Sequence, residues 1–123
     1  MKIKSLIVLL AICLSACTGS KYAGVPNQYQ ELISQTMQTA GSNAKELKKA
    51  LKQTPTTQRE AMAFLIAYMP ERDAKALTAN FLLENVDYAY KARAEFPWAK
   101  EVPNDIFLND VVAYVNLNEN REN

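Results

Sequence analysis

The chain has 123 residues with 14 lysines and arginines, 13 aspartates and glutamates and no histidine, for a formal charge of +1. That length holds one domain with a modest core. The missing imidazole removes Ser–His and Cys–His hydrolytic triads, together with the commonest general base and transition-metal ligand. Carboxylates remain for acid–base work, but their scatter is that of solvated helix faces and singles out no catalytic pair; neither a cofactor nor a metal site is expected.

Lys2 and Lys4 open the chain, an apolar stretch over residues 5 to 14 is too short to span a bilayer, and small residues precede the cysteine of Leu14-Ser15-Ala16-Cys17. This resembles a bacterial lipoprotein signal. The resemblance implies cleavage between Ala16 and Cys17, a diacylglyceryl thioether on Cys17, and acylation of the new amino terminus, as by palmitate. One acyl chain holds a protein only marginally, at about 0.8 kcal/mol per buried methylene, whereas two or three make attachment lasting. Residues 1 to 16 are then a signal peptide. Lys2 and Lys4 leave with it and turn the formal charge from +1 to −1. That balance argues against a nucleic-acid partner, since phosphate neutralisation needs a clustered excess of cations, and gives no support to electrostatic adhesion to anionic lipid. With Cys13 removed and Cys17 lipidated, no disulfide forms in the mature chain. Thr18 stands where an aspartate would resemble a retention signal, so the expected location is the cell envelope, at the outer membrane.

Residues 17 to 26, with Gly19, Ser20, Gly24 and Pro26, read as a tether from the lipid to the folded part. The helical domain is expected over residues 27 to 116. Asn27 is a candidate cap for a first helix whose apolar positions are Tyr29, Leu32, Ile33, Met37 and Ala40, stopped by Gly41. Ser42 or Asn43 restarts the pattern, Ala44, Leu47, Ala50 and Leu51 form the stripe, and Thr54-Pro55 ends it. Thr57-x-x-Glu60 reads as a capping box. The helix it opens carries Ala61, Phe64, Leu65 and Tyr68 on one face and Met62, Ile66 and Met69 beside them, which predicts the central helix, with a core centred on Phe64, Leu65, Tyr68 and Leu82.

Asp73 is expected to cap a short segment through Leu77, with a break near Thr78 to Asn80. A longer helix to about Glu95 has two edges, Leu82, Val86, Ala89 and Arg93 on one and Phe81, Tyr88, Ala92 and Phe96 on the other, so two surfaces of it could be covered. Pro97 stops it, and Trp98 is expected to plug the space between helices with its indole N–H bonded to a carbonyl. Pro103-Asn104-Asp105 opens a last helix with apolar positions Ile106, Phe107, Val111 and Tyr114 or Val115. Residues 117 to 123 form a polar tail. No segment alternates with the two-residue period of a sheet. The expected fold is all-α, a small bundle of about five helices behind the signal peptide.

From Asn43 onward the chain resembles the N-terminal helical region of bacterial transglutaminase-like, cysteine-protease-related lipoproteins and secreted proteins. The carriers are Arg59-Glu60-Ala61-Met62-Ala63-Phe64-Leu65, Met69-Pro70-Glu71-Arg72-Asp73, Phe81-Leu82-Leu83-Glu84-Asn85-Val86, Pro97-Trp98, Val102-Pro103-x-Asp105-x-Phe107-Leu108-Asn109-Asp110 and Asn118-Glu119-x-Arg121. Where the family has Leu-Pro-Tyr, this chain has Val112-Ala113-Tyr114. The resemblance places the family's catalytic Cys, His and Asp downstream of this segment, so no residue here inherits a catalytic role, and Cys17 belongs to the lipid signal. It implies a lipid-anchored, non-catalytic accessory domain that packs against a catalytic core, with Phe107, Val111 and Tyr114 as docking residues left uncovered when the core is absent. The other reading is an independent small envelope lipoprotein that binds a peptide or protein in a groove between helices and has no broken edge.

Overall fold

The computed structural model describes residues 19–113, and these are all-α, with no strand among them. The expected signal peptide, Cys17 and the expected polar tail lie outside the described residues. Helix α1 spans Asn27–Ala40 and buries Tyr29, Ile33, Met37 and Ala40, the stripe its spacing predicts. Asn27 is its first helical residue and not its cap. Pro26 holds the extended entry conformation in front of it (φ −56°, ψ 142°), and its carbonyl accepts the Tyr29 N–H at 3.0 Å. Gly41 ends α1 at φ 56°, a left-handed conformation that strains any residue with a Cβ.

A 3₁₀ turn over Gly41–Asn43 leads into α2, Ala44–Gln53, with Leu47, Ala50 and Leu51 buried. The Thr54-Pro55 ending stands. The residue before a proline is driven to extended backbone, and Thr54 leaves the helix at ψ 131° while its buried hydroxyl donates back to the Ala50 carbonyl at 2.6 Å.

The Thr57–Glu60 capping box does not form. The chain instead makes a 3₁₀ turn over Thr56–Gln58, closed by Gln58 N–H to the Pro55 carbonyl at 2.9 Å. That backbone bond shapes the entry, and α3 begins at Arg59 with no side-chain cap. Spanning Arg59–Ala67, α3 is the central helix. It touches α1, α2, the later long helix and the C-terminal segment, and buries Ala61, Met62, Ala63, Leu65, Ile66 and Ala67. Phe64 is only partly buried and Tyr68 is 60% exposed, so the core centre is Leu65, Met62 and Ile66 with Leu82, not the aromatic edge. Tyr68 lies at the helix end, beyond the last full turn. Its ring joins Phe64 (5.0 Å between centroids) and Tyr29 (6.3 Å) in a small cluster on the flank.

Helix α4 is one turn, Glu71–Ala74, entered from Pro70. Asp73 sits inside it and is buried, so it does not cap the segment. Helix α5, Ala79–Glu95, is the longest, and its start is doubly served. Thr78 Oγ1 accepts the Phe81 N–H at 3.2 Å, and Glu46 Oε2 reaches across from α2 to accept the Ala79 N–H at 2.9 Å. Asn43 fastens the same corner by donating to the Ala74 and Leu77 carbonyls, both at 2.9 Å. Of the two edges expected on α5, only Leu82, Val86 and Ala89 are buried.

After a 3₁₀ turn at Pro97–Glu101, a single α-turn, α6 (Asn104–Ile106), widens into a π-helical stretch, Phe107–Val112. The widened winding, with i→i+5 hydrogen bonds, takes more residues per turn than an α-helix and so shifts which positions face inward. Phe107, Leu108 and Val112 share the buried face, and Val111 faces out. Asn85 on α5 pins the end of this stretch by donating to the Val112 carbonyl at 2.6 Å.

Candidate functional site

Each expected docking residue meets a different fate. Phe107 is 1% exposed and belongs to the core. Tyr90 meets its ring edge-on at 5.1 Å, and the Arg93 guanidinium lies over its face at 4.3 Å while also donating to the Val102 carbonyl at 3.0 Å. Burial pushes the Tyr90 phenol above its ordinary pKa. Val111 is 41% exposed and remains available. Tyr114 and Cys17 lie outside the described residues.

Trp98 does not plug the bundle. It is 67% exposed and stacks on Phe96, with centroids 5.9 Å apart and planes 26° from parallel. The reason is local: Phe96 and Pro97 break α5 in extended backbone, and the following 3₁₀ turn spends its one inward position on Ala99. Phe96, Phe81 and Tyr88 on the second edge of α5 are each partly exposed, Tyr88 most of all at 66%. Among the described residues, six of the seven exposed large apolar side chains, Phe81, Tyr88, Phe96, Trp98, Ile106 and Val111, fall in this second half of the chain. They make it the candidate binding region. The α5 edge was legible from its spacing; the exposure of Trp98 was not.

The expected tether is also altered. Gln30 on α1 reaches back and accepts the Tyr22 N–H at 3.0 Å, while its amide nitrogen contacts the carbonyls of Tyr22 (3.0 Å) and Val25 (2.9 Å) and the Ser20 hydroxyl (2.8 Å). Val25 is buried in the core. Gly24, at φ 73°, lies over the Arg59 guanidinium so closely that a Cβ there would come within 2.8 Å of Arg59 Nη1. Residues 20 to 26 are therefore a docked loop.

Among the described residues no group of His, Cys, Asp or Glu is arranged to hold a metal ion. Two exposed pairs shift their members in the stabilising direction: the bond from Lys75 lowers Glu71, and the bond to Asp87 raises Lys91. Both are helix-surface pairs one turn apart and perform no chemistry. Comparison with protein-family models, with curated proteins and with solved structures returned no match.

Proposed function

We propose that this chain is a lipid-anchored, non-catalytic helical module of the bacterial envelope that docks against a separate catalytic core of the transglutaminase-like class. The observation that carries the docking half is the group of exposed aromatics at and beyond the end of α5: Tyr88 and the Phe96–Trp98 stack. A domain with a closed surface has no use for such a group, whereas a partner surface enriched in aromatics is the usual composition of an interface centre. Val111 and Ile106 extend the region and Phe107 leaves it. The anchoring half rests on the Leu14-Ser15-Ala16-Cys17 signal, and the class of partner on the sequence resemblance.

Calorimetry of the chain against a transglutaminase-like core supplied as a second polypeptide tests the reading. Expected are a negative heat-capacity change from apolar burial and a loss of about 2 kcal/mol or more on Trp98→Ala, as for a central aromatic anchor. The chain alone is expected to turn over no glutamine or peptide substrate, since a thiol nucleophile needs an imidazole within hydrogen-bond reach. Failure to bind the core would favour an independent peptide-binding lipoprotein; turnover by the isolated chain would overturn the non-catalytic reading.

A further inference from the structure

Net charge conceals how the cations are distributed. Helix α2 carries Lys45, Lys48, Lys49 and Lys52, and its one carboxylate, Glu46, is turned away to the α5 amide of Ala79. No ion pair holds any of these lysines among the described residues. Lys48 and Lys52, one turn apart, line a depression of about 350 Å³ with Lys21, Tyr22 and Arg59. A second depression, which shares Lys21, Tyr22 and Lys48, continues it along α1 past Ser34 and Gln38. Four cations and no carboxylate line the pair of hollows. Lys21 Nζ contacts only Ser34 Oγ, at 3.4 Å, and the Tyr22 ring. Arg59 Nη2 donates to the Thr54 carbonyl at 3.0 Å and its guanidinium lies beneath Gly24, so it adds fixed positive charge to the floor of the hollow.

The position of this basic hollow matters as much as its charge. Because Gln30 fixes the loop from Ser20, only three peptide steps separate Cys17 from the folded surface, a span of at most about 11 Å. Lys21, on the rim, follows immediately. A charge held within about a Debye length, roughly 8 Å at physiological salt, still feels an anionic surface.

We propose that the hollow formed by Lys21, Lys48, Lys52 and Arg59 takes the phosphate of an anionic phospholipid in the leaflet that holds the acyl chains of Cys17, and so fixes which face the domain turns to the membrane. The proposal rests on the lipid-anchor reading for its geometry. The shared chemistry is phosphate recognition by lysine amines acting as point charges, with the Arg59 guanidinium adding positive charge beneath them. Anchoring by acyl chains leaves the domain free to rotate; the cations on one side remove that freedom. The exposed aromatics at the end of α5 are a separate surface, so one face is assigned to lipid and another to a protein.

The test is amine labelling of the full chain, purified from cells and placed on vesicles of phosphatidylglycerol and phosphatidylcholine or of phosphatidylcholine alone, with sites read by mass spectrometry. Lys21, Lys48 and Lys52 are expected to label several times more slowly on the anionic vesicles, and high salt should abolish the difference. Lys75 and Lys91, in their own ion pairs, should label alike on both. Lys48→Glu with Lys52→Glu, both at exposed positions, should erase the protection read at Lys21 while leaving the helical circular-dichroism spectrum intact. Equal labelling on the two vesicle types, or protection that survives the double substitution, would overturn the proposal. Equal protection by inorganic phosphate without vesicles would reassign the hollow to a free anion and overturn it too. The mass of the N-terminal peptide reports acylation separately. An unacylated chain that still shows charge-dependent protection refutes the anchor alone, and an acylated chain without that protection refutes the headgroup site alone.

Discussion

Phe107 and Trp98 exchange the roles their residue types suggest. The phenylalanine is enclosed by Tyr90, Arg93 and the α3 side of the core, whereas the indole stands in water on Phe96. Phe107→Ala removes a filled volume that the neighbouring helices cannot close, and should cost about 3 to 5 kcal/mol. Trp98→Ala should change stability by no more than about 0.5 kcal/mol, as for an exposed site away from caps and buried networks. Thermal melts of the two variants check the pair: a Trp98→Ala protein that melts as low as Phe107→Ala would show that the indole is structural. Sequence pattern could not separate the two, because both are large aromatics shortly after a proline; the 3₁₀ turn after Pro97 gives its inward position to Ala99, whereas Phe107 lands on the buried face of the last helical stretch with Leu108 and Val112.

At the scale of elements, helices α1, α2, α3 and α5 were legible because each keeps a three-to-four-residue apolar spacing between strong punctuation: Gly41 after α1, Pro55 after α2, Pro70 after α3 and Pro97 after α5. The starts were less legible. Three of those four helices are entered without a side-chain cap, after a proline-led turn or a 3₁₀ turn, and only Thr78 acts as a motif suggests. The docked N-terminal loop was invisible in sequence because its hold is one glutamine several residues downstream. Gln30→Ala should release that loop without melting α1. Each lost hydrogen bond is worth about 1 kcal/mol net, so native-state hydrogen exchange at the Tyr22 amide should quicken several-fold while the Ile33 amide stays protected. Equal protection of Tyr22 in wild type and variant would mean that Val25 burial alone holds the loop.

For the whole molecule, the absence of histidine gives a stability profile with a flat middle. No ordinary side chain changes charge between about pH 5.5 and pH 7.5 without an imidazole, so the melting temperature should be nearly constant there. The surface pairs act outside that window. Glu71 is lowered by Lys75, so its contribution is present above the ordinary glutamate range and fades as pH falls through the lowered value. Lys91 is raised by Asp87, so its contribution is present below the ordinary lysine range and is lost as pH rises through the raised value. Both pairs are exposed and their effects are small. A step in the melting temperature near pH 6.5 would point to a perturbed carboxylate in the fold. Composition was a sound guide to this profile and a poor one to the surface: a nearly neutral total is compatible with lysines gathered on α2 and aromatics gathered on α5, because neither count records which face a residue occupies.

The exposed indole carries an optical consequence. Trp98 is the protein's one tryptophan, and its ring already sits in water, so its emission should be red-shifted in the native state and move little when the chain unfolds. A denaturant titration followed at that wavelength would then look like a protein without a transition, while the far-ultraviolet signal of the same sample collapsed. The optical silence is useful, because any blue shift recorded from this residue reports something closing over it from outside.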